Sequence, residues 1–352
     1  DRSEWLDTDA DGVGDNADND PNSPDVTYIS IADALSQISD IELRQCISEQ
    51  VGDTSQLTRA VTELYCPQRP ILNLEGLNLF SSLERMQLDN TGSEPLDLSV
   101  LSTMTRLQGL NLNGNGIVDI SPLSTLLALT GVGLQYGNDI SDVTPLSGLR
   151  DLQDISLAGN QNLADVSALA ELPRLYRLQL EHTAVANFEF LRAIPTLMAL
   201  GVTGDAQTLG PVYDLAWLSE IFIRSSSGVD LDAIAAMPNL RKLALTASNI
   251  EDITSLGSMT ELVYLELTAN SITDISALTS LTNLTSLYID RVGGADLSPI
   301  NALTNLQHLT FSGNGVESLD LFNNLTNLEL IAASHGNSND GTLTDISAVV
   351  NF

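Results

Sequence analysis

Apolar residues recur along most of the chain with a period close to 22 residues. In the segment that starts at Leu107, the apolar positions are Leu107, Leu110, Leu112, Ile117, Ile120, Leu123 and Leu126, and most of the others are polar or small. We number the positions of each repeat from this first leucine. Position 1 recurs at Leu83, Leu107, Leu129, Leu152, Leu175, Leu197, Leu218, Leu240, Leu262, Leu284, Leu306 and Leu328. This self-similarity predicts a solenoid of about twelve stacked repeats over residues 83–352.

Each repeat is predicted to contain one short strand. Positions 4 and 6 are apolar and position 5 lies between them, which is the alternation of a strand with one buried side. A single strand cannot bury its apolar side, but stacked copies form a parallel sheet over a shared core, and each buried aliphatic side chain contributes about 1.5–3 kcal/mol. Positions 2, 3, 5, 7 and 8 then face solvent, and we call this surface the strand face.

Position 9 is often an amide or a hydroxyl. Asparagines at this position are Asn115, Asn160, Asn270 and Asn314, and partial substitutes are Thr91, Thr183, Asp205, Ser226 and Ser248. An amide side chain can donate and accept at once, so a ladder of asparagines is expected to bond to the backbone where the chain leaves each strand. Val292 and Gly336 interrupt this ladder. The prolines Pro122, Pro145 and Pro299, each after Ser or Thr, predict short 3-10 turns on the opposite side.

The pattern Leu-x-x-Leu-x-Leu-x-x-Asn-x-Ile resembles the leucine-rich repeat. The tails at 119–123, 142–146 and 274–278 and the Leu-Thr-Asn-Leu joints at 281–284, 303–306 and 325–328 are similar to those of the internalin type of bacterial surface protein. The resemblance implies an α/β repeat fold, a curved horseshoe with a parallel concave sheet and mostly 3-10 or short turns on the convex side. It also implies binding through the concave side, which is the strand face.

Residues 28–82 are expected to cap the solenoid. Apolar residues at helical spacing run from Ile31 to Val51, and Leu72, Leu74, Leu77 and Leu79 predict a shortened first coil. The only two cysteines are Cys46 and Cys66. They are either a reduced cytosolic pair or, as we favour, a disulfide of an exported protein that joins the helices to the first coil.

The acidic segment 1–27 carries the one motif with recognisable chemistry. Oxygen ligands at Asp7, Asp9, Asp11, Asp15 and Asp18, the carbonyl of Val13 and a glycine at the sixth position have the spacing that wraps Ca²⁺. Pro21 and Pro24 follow too soon for an EF-hand helix. The segment instead resembles a thrombospondin type 3 repeat, which implies calcium as a cofactor. The alternative is an acidic tail whose carboxylates only follow the composition.

The charge of the chain restricts its partners. Acidic residues number 46 and basic residues 14, which gives a formal net charge of −32. Such a molecule repels phosphate backbones, so nucleic acid is an unexpected partner.

No run of about 20 apolar residues is present, so no membrane-spanning segment is expected. The Gly-x-Ser-x-Gly, His-Glu-x-x-His and Walker motifs are absent from the sequence, so we expect no enzyme activity.

From the repeat at Leu175 onward, the strand face carries aromatic and basic residues. Aromatic and basic residues at its positions are Tyr176, Arg177, His182, Phe222, Arg224, Arg241, Lys242, Tyr264, Tyr288, Arg291, His308 and His335. Aromatic and arginine side chains dominate interface hot spots, and a basic island in an acidic surround would attract an anionic group. The alternative is that Arg177, Arg224 and Lys242 only neutralise the neighbouring Glu181, Glu220 and Glu266.

These observations predict an extracellular or bacterial cell-surface protein that recognises a macromolecule, either a protein or a glycan, in adhesion. Two other hypotheses stay open. The first is a carbohydrate-binding or matrix protein, because aromatic faces also suit sugars. The second is a structural spacer within a larger surface protein, which would have no partner of its own.

Overall fold

The structure, a computed structural model, describes residues 28–89, 94–316 and 318–332. The chain divides into two compact units, residues 1–152 and 153–352. Unit 1 has helices α1 (Ile31–Gln37) and α2 (Ile41–Val51) and strands β1 (Glu63–Tyr65), β2 (Arg85–Gln87), β3 (Gly109–Asn111) and β4 (Gly131–Gly133). Its 3-10 turns are Thr58–Ala60, Leu77–Leu79, Ser99–Thr103, Ser121–Thr125 and Thr144–Leu146. The predicted calcium segment 7–18 and the residues Thr91, His335 and Gly336 lie outside the described residues.

Unit 2 continues the same repeating pattern of a short strand and a turn. Its strands are β5 (Asp154–Ser156), β6 (Arg177–Gln179), β7 (Ala199–Val202), β8 (Glu220–Arg224), β9 (Lys242–Thr246), β10 (Tyr264–Glu266), β11 (Ser286–Tyr288), β12 (His308–Thr310) and β13 (Leu330–Ala332). Its 3-10 turns are Ser167–Glu171, Glu189–Ala193, Thr254–Ser258, Ser276–Ser280, Ser298–Ala302 and Leu319–Phe322. Two repeats have the short helices α3 (Gly210–Tyr213) and α4 (Leu231–Ala235) instead.

Consecutive strands pair in parallel within each unit, and the register follows the sequence repeat. Position 4 of one repeat pairs with position 4 of the next, as in Leu265 with Leu287 and Leu287 with Leu309. These leucines are fully buried, as are those at position 1 in most repeats, so the apolar side of each strand faces the core. The predicted strand per repeat and the direction of its side chains are confirmed. The equal repeat length sets the register, because each added repeat stacks its leucines on the previous ones.

The turns after the strands are fixed by aspartates. Asp119 accepts hydrogen bonds from the backbone N–H of Ser121 at 2.8 Å and from its hydroxyl at 3.0 Å, and Pro122 lies at the start of the turn. The backbone bond from Ser121 and then the hydroxyl bond hold the pKa of Asp119 below its usual range. Asp165, Asp252, Asp274 and Asp296 repeat this arrangement with a Ser or Thr two residues later. A charged acceptor at the first turn satisfies N–H groups that the short helix leaves unpaired.

The predicted asparagine ladder is present and includes one member that the repeat count missed. Asn138 accepts from the N–H groups of Asn115 and Ile117 at 2.9 and 3.0 Å and donates to the carbonyl of Leu112. The repeat that starts at Leu129 has 23 residues, so its ladder residue is at position 10. At the break at Val292, the next asparagine, Asn314, accepts from the N–H of Val292 at 2.9 Å.

The N-terminal cap is joined to the sheet by a disulfide between Cys46 on α2 and Cys66 at position 6 of the first repeat. The strand of this repeat is β1, upstream of Leu72, and Leu72 is 63% exposed. Leu74 and Leu77 are buried and follow β1 in the same repeat, so the prediction of a shortened first coil from Leu72 to Leu79 is wrong. The first repeat therefore has full length, and its signal was weak because Val61, Leu64 and Cys66 replace the usual leucines.

Gln50 of α2 takes the place of a neighbouring strand at the edge of β1. Its amide oxygen accepts from the N–H of Tyr65 at 2.9 Å, and its Nε2 donates to the carbonyl of Tyr65 at 2.8 Å. An unpaired strand edge can pair with another chain, so this side chain protects the sheet at its first strand.

Candidate binding face

The structure places the eleven described candidate residues on the strand face of unit 2. Position 3 forms one register column across β6 to β12, with Arg177, Ala199, Glu220, Lys242, Tyr264, Ser286 and His308 on consecutive strands. Position 5 forms a second column, which includes Phe222 and Tyr288. Position 7 holds Arg224, position 8 holds His182 and Arg291, and position 2 holds Tyr176 and Arg241.

The candidates do not converge on one pocket. Tyr176, Arg177 and His182 belong to the repeat of β6, whereas His308 is on β12. At about 4.8 Å per strand these two groups are roughly 30 Å apart. Phe222, Arg224, Lys242, Tyr264 and Tyr288 lie between them on β8 to β11 and form the centre of the face.

Most cations on this face have carboxylate partners. Lys242 Nζ lies 2.8 Å from Glu220 Oε1, and Arg177 Nη2 lies 3.8 Å from Glu220 Oε2. Arg177 Nε also lies 3.5 Å from Asp154 Oδ2, and burial raises the pKa of Asp154 while Arg177 opposes this rise. Arg241 pairs with Glu261 at 3.4 Å, at the border of the face.

The charge of the strand face is therefore balanced rather than basic. Arg224 Nε is 3.8 Å from Glu181 Oε1, so four of the five predicted cations are paired, as the neutralisation hypothesis expected. Arg291 is exposed and has no ion pair within the described ranges. Glu266 does not pair with a cation there either, contrary to its part in that hypothesis.

Three aromatic rings form a ridge across β8 to β11. The rings of Phe222 and Tyr264 meet edge to face with centroids 6.5 Å apart, and those of Tyr264 and Tyr288 are tilted at 5.2 Å. Ala244 lies on β9 between Phe222 and Tyr264, and its small buried side chain leaves room for the two rings to meet. Such contacts stabilise pairs of rings by about 0.5–1.5 kcal/mol, so the ridge is held in place before any partner arrives. We call Phe222, Tyr264 and Tyr288 the aromatic ridge.

Glu181 is a buried carboxylate in the same surface. Only 5% of the residue is exposed, and its Oε2 has no hydrogen-bond partner among the described residues. It lies over Gly201 on the next strand, where an added Cβ would clash with the carboxylate. Burial raises the pKa of Glu181, although its own backbone N–H and Arg224 act in the opposite direction. Gly201 is thus the residue that makes space for this acid.

Position 8 has a backbone requirement that side-chain patterns did not reveal. His182 and Arg291 adopt left-handed φ angles of 57° and 56°, and Ser225, Ala247 and Ala269 in the same column do so as well. Gly114, Gly159 and Gly313 occupy the equivalent place in other repeats. A residue other than glycine costs roughly 1–2 kcal/mol at such an angle, so the backbone of His182 and Arg291 is strained.

Two histidines lie at opposite ends of the face. His308 Nδ1 lies 3.2 Å from Ser286 Oγ on the neighbouring strand, and the backbone N–H of His182 donates to Thr203 Oγ1 at 3.1 Å. Asp290, half-buried at position 7, was not predicted as a site residue, although the column numbering could have found it. The predicted site consisted of basic and aromatic residues only, so it did not include the acids of the face.

Comparisons with known proteins agree on the fold. No family model matches the chain, and no curated protein matches its sequence. The crystal structure of an internalin, InlF, from Listeria monocytogenes is similar with a TM-score of 0.63 and 24% identity, covering 90% of this chain and 94% of that one. A leucine-rich repeat protein from Leptospira interrogans is similar with a TM-score of 0.51 and 18% identity, covering 79% and 85%. The fold is a leucine-rich repeat solenoid.

The leucine-rich repeat solenoid here carries a helical N-terminal cap, and its solved neighbours include internalins. Among the residues that the structure describes, no helix has the length and apolar character to cross a membrane.

Proposed function

We propose that this protein is a non-enzymatic recognition protein, extracellular or on a bacterial cell surface, that binds a macromolecular partner through the strand face of unit 2. The observation that carries the proposal is the aromatic ridge, in which the ring of Tyr264 on β10 contacts those of Phe222 on β8 and Tyr288 on β11. Rigid aromatic side chains lose little conformational entropy on binding and dominate interface energies. The preferred partner is a protein, because ion-paired arginine and lysine residues border the ridge and offer polar contacts at its rim.

Replacing Tyr264 and Arg224 together by alanine should abolish partner capture while the chain stays folded. Both side chains are partly exposed, whereas the buried leucines beside them stay in place. Each hot-spot truncation costs about 2 kcal/mol or more, so affinity should fall by at least about thirtyfold. The measurement is binding of the labelled protein to parallel arrays of purified extracellular proteins and of glycans, with a melting curve for each variant.

The matched control replaces Phe190 and Arg192, an aromatic and an arginine in the turn Glu189–Ala193, outside the strand face. This variant should bind like the wild type. Binding to glycans alone would favour the carbohydrate alternative, and binding to neither array would favour a structural spacer. Loss of folding in the Tyr264/Arg224 variant would show that these residues are structural.

We also propose that the acidic segment binds Ca²⁺ through Asp7, Asp9, Asp11, Asp15, Asp18 and the carbonyl of Val13. The support is the ligand spacing in the sequence. Calorimetry with calcium chloride should show binding in the range of about 10⁻⁴–10⁻³ M that is usual for extracellular modules. Asp9→Ala should abolish the heat, whereas Asp25→Ala, in the same tail but outside the motif, should not. Equal heats for the two variants would mean diffuse charge attraction.

A further inference from the structure

Two carboxylates beside the aromatic ridge differ from three other acids of the strand face. Asp154, Glu181 and Glu220 each have an arginine or lysine partner. Glu266 on β10 and Asp290, two residues after β11, form no ion pair within residues 28–89, 94–316 and 318–332, although both are half-buried. At this end of the face, two carboxylates therefore lie outside any ion pair.

Hydroxyl and backbone donors hold these two carboxylates in place. Glu266 accepts from the hydroxyl of Tyr264 at 3.0 Å and from that of Thr246 at 3.0 Å, one bond on each oxygen. Asp290 accepts from the hydroxyl of Thr310 at 2.8 Å and from the backbone N–H of Ser312. A carboxylate oxygen can accept a second hydrogen bond, so both groups are oriented and keep acceptor capacity.

Tyr288 adjoins both carboxylates. It pairs in register with Glu266 across the strands and precedes Asp290 by two residues, so the three side chains lie on the same side of the sheet. Its ring is half-buried and is supported from one side by Tyr264 at 5.2 Å. A π face next to carboxylates attracts cations, and a guanidinium can stack on a ring while it donates to a carboxylate. We call Tyr264, Glu266, Tyr288 and Asp290 the acid–aromatic group.

Charge elsewhere in the molecule favours the same kind of ligand. The chain carries a formal net charge of −32, which attracts cationic partners over distances near the Debye length. Arg291 follows Asp290 directly, but it makes no ion pair with any described residue.

We infer that the acid–aromatic group binds an arginine or lysine side chain from a basic segment of a protein partner. The guanidinium or ammonium stacks on Tyr288 and donates to Glu266 and Asp290, while the aromatic ridge covers the apolar part of the segment. A basic island would bind an anionic group, whereas this group binds a cation, because four of the five predicted cations of the face are already paired with carboxylates of the chain. This inference rests on the proposed function and names the chemistry of its partner.

The test uses a fluorescent twelve-residue peptide with four arginines separated by glycine and serine, and matched peptides with glutamine or glutamate in place of arginine. Fluorescence anisotropy is measured on the full chain in 150 mM salt. The arginine peptide should bind at least about tenfold more tightly than the glutamine peptide, since several cation–π and carboxylate contacts combine. Glu266→Gln with Asp290→Asn, or Tyr288→Leu, should weaken its binding about fivefold or more.

The control is Asp252→Asn with Asp274→Asn, which removes the same amount of charge from two exposed aspartates in the turns. It should change the affinity by less than about twofold. An equal loss in both double variants would reduce the effect to the net charge and overturn the inference. Equal binding of the arginine and glutamine peptides, or tighter binding of the glutamate peptide, would also overturn it. The proposed function would survive these results if array binding through Tyr264 and Arg224 persisted.

Discussion

Asn270→Ala is expected to lower the free energy of unfolding by about 3 kcal/mol, because it removes a buried hub of the asparagine ladder. The Oδ1 of Asn270 accepts from the N–H groups of Ser248 at 3.0 Å and Ile250 at 3.2 Å. Its Nδ2 donates to the carbonyls of Leu245 at 2.6 Å and Leu267 at 2.8 Å. Alanine cannot satisfy these backbone groups, and an unpaired buried polar group costs roughly 1–3 kcal/mol. Denaturant unfolding followed by circular dichroism measures the change.

Asn283→Ala is the matched control. Asn283 is the last residue of the same repeat and donates to the carbonyl of Thr260 at 3.0 Å, but this contact is exposed. Water can replace an exposed donor, so the loss should stay below about 1 kcal/mol. If the two variants unfolded at the same denaturant concentration, the ladder would not be a main source of stability.

Removing the disulfide should destabilise the chain by a similar amount. The Cys46–Cys66 bond spans a sequence separation of 20 residues and joins α2 to the first repeat. Closing a loop of this length restricts the unfolded chain and stabilises the fold by about 3 kcal/mol. Cys46→Ala with Cys66→Ala should therefore shift the unfolding midpoint to lower denaturant concentration.

Reduction provides the control for this prediction, because the chain has no other cysteines. A reducing agent should shift the wild-type midpoint to that of the double variant and should leave the double variant unchanged. A wild-type midpoint that is unaffected by complete reduction, verified by thiol titration, would contradict the expected role of the bond. The bond would then be a consequence of the fold rather than a source of its stability.

The repeat pattern predicted the strands and their buried sides because each repeat carries its own local signal. Leu107, Leu110 and Leu112 fall at positions that a strand must bury, and the same three positions recur down the chain. The ladder residue Asn138 was missed because one additional residue shifts it by a single position. The first strand was missed because its positions 4 and 6 are Leu64 and Cys66, which match the repeat pattern less well than two leucines do.

The composition of the strand face could also be predicted, but the partners of its charges could not. Arg224 at the end of β8 reaches past β7 to Glu181, which follows β6. Lys242 on β9 pairs with Glu220 on the adjacent strand β8. Glu266, which the sequence placed among possible acidic partners of the cations, is instead held by the hydroxyls of Tyr264 and Thr246. Parallel strands bring several polar residues within reach of each charge, so the linear order leaves the choice open.

By itself, the sequence determined the repeat length, the side of each strand that is buried, the residues available on the strand face and the only two cysteines that could pair. These depend on periodicity and on residue type. Only the tertiary structure decided which carboxylates are neutralised, where the aromatic rings meet, and that position 8 holds a left-handed backbone. These depend on side-chain packing between neighbouring strands about 4.8 Å apart, where a change of rotamer selects a different partner.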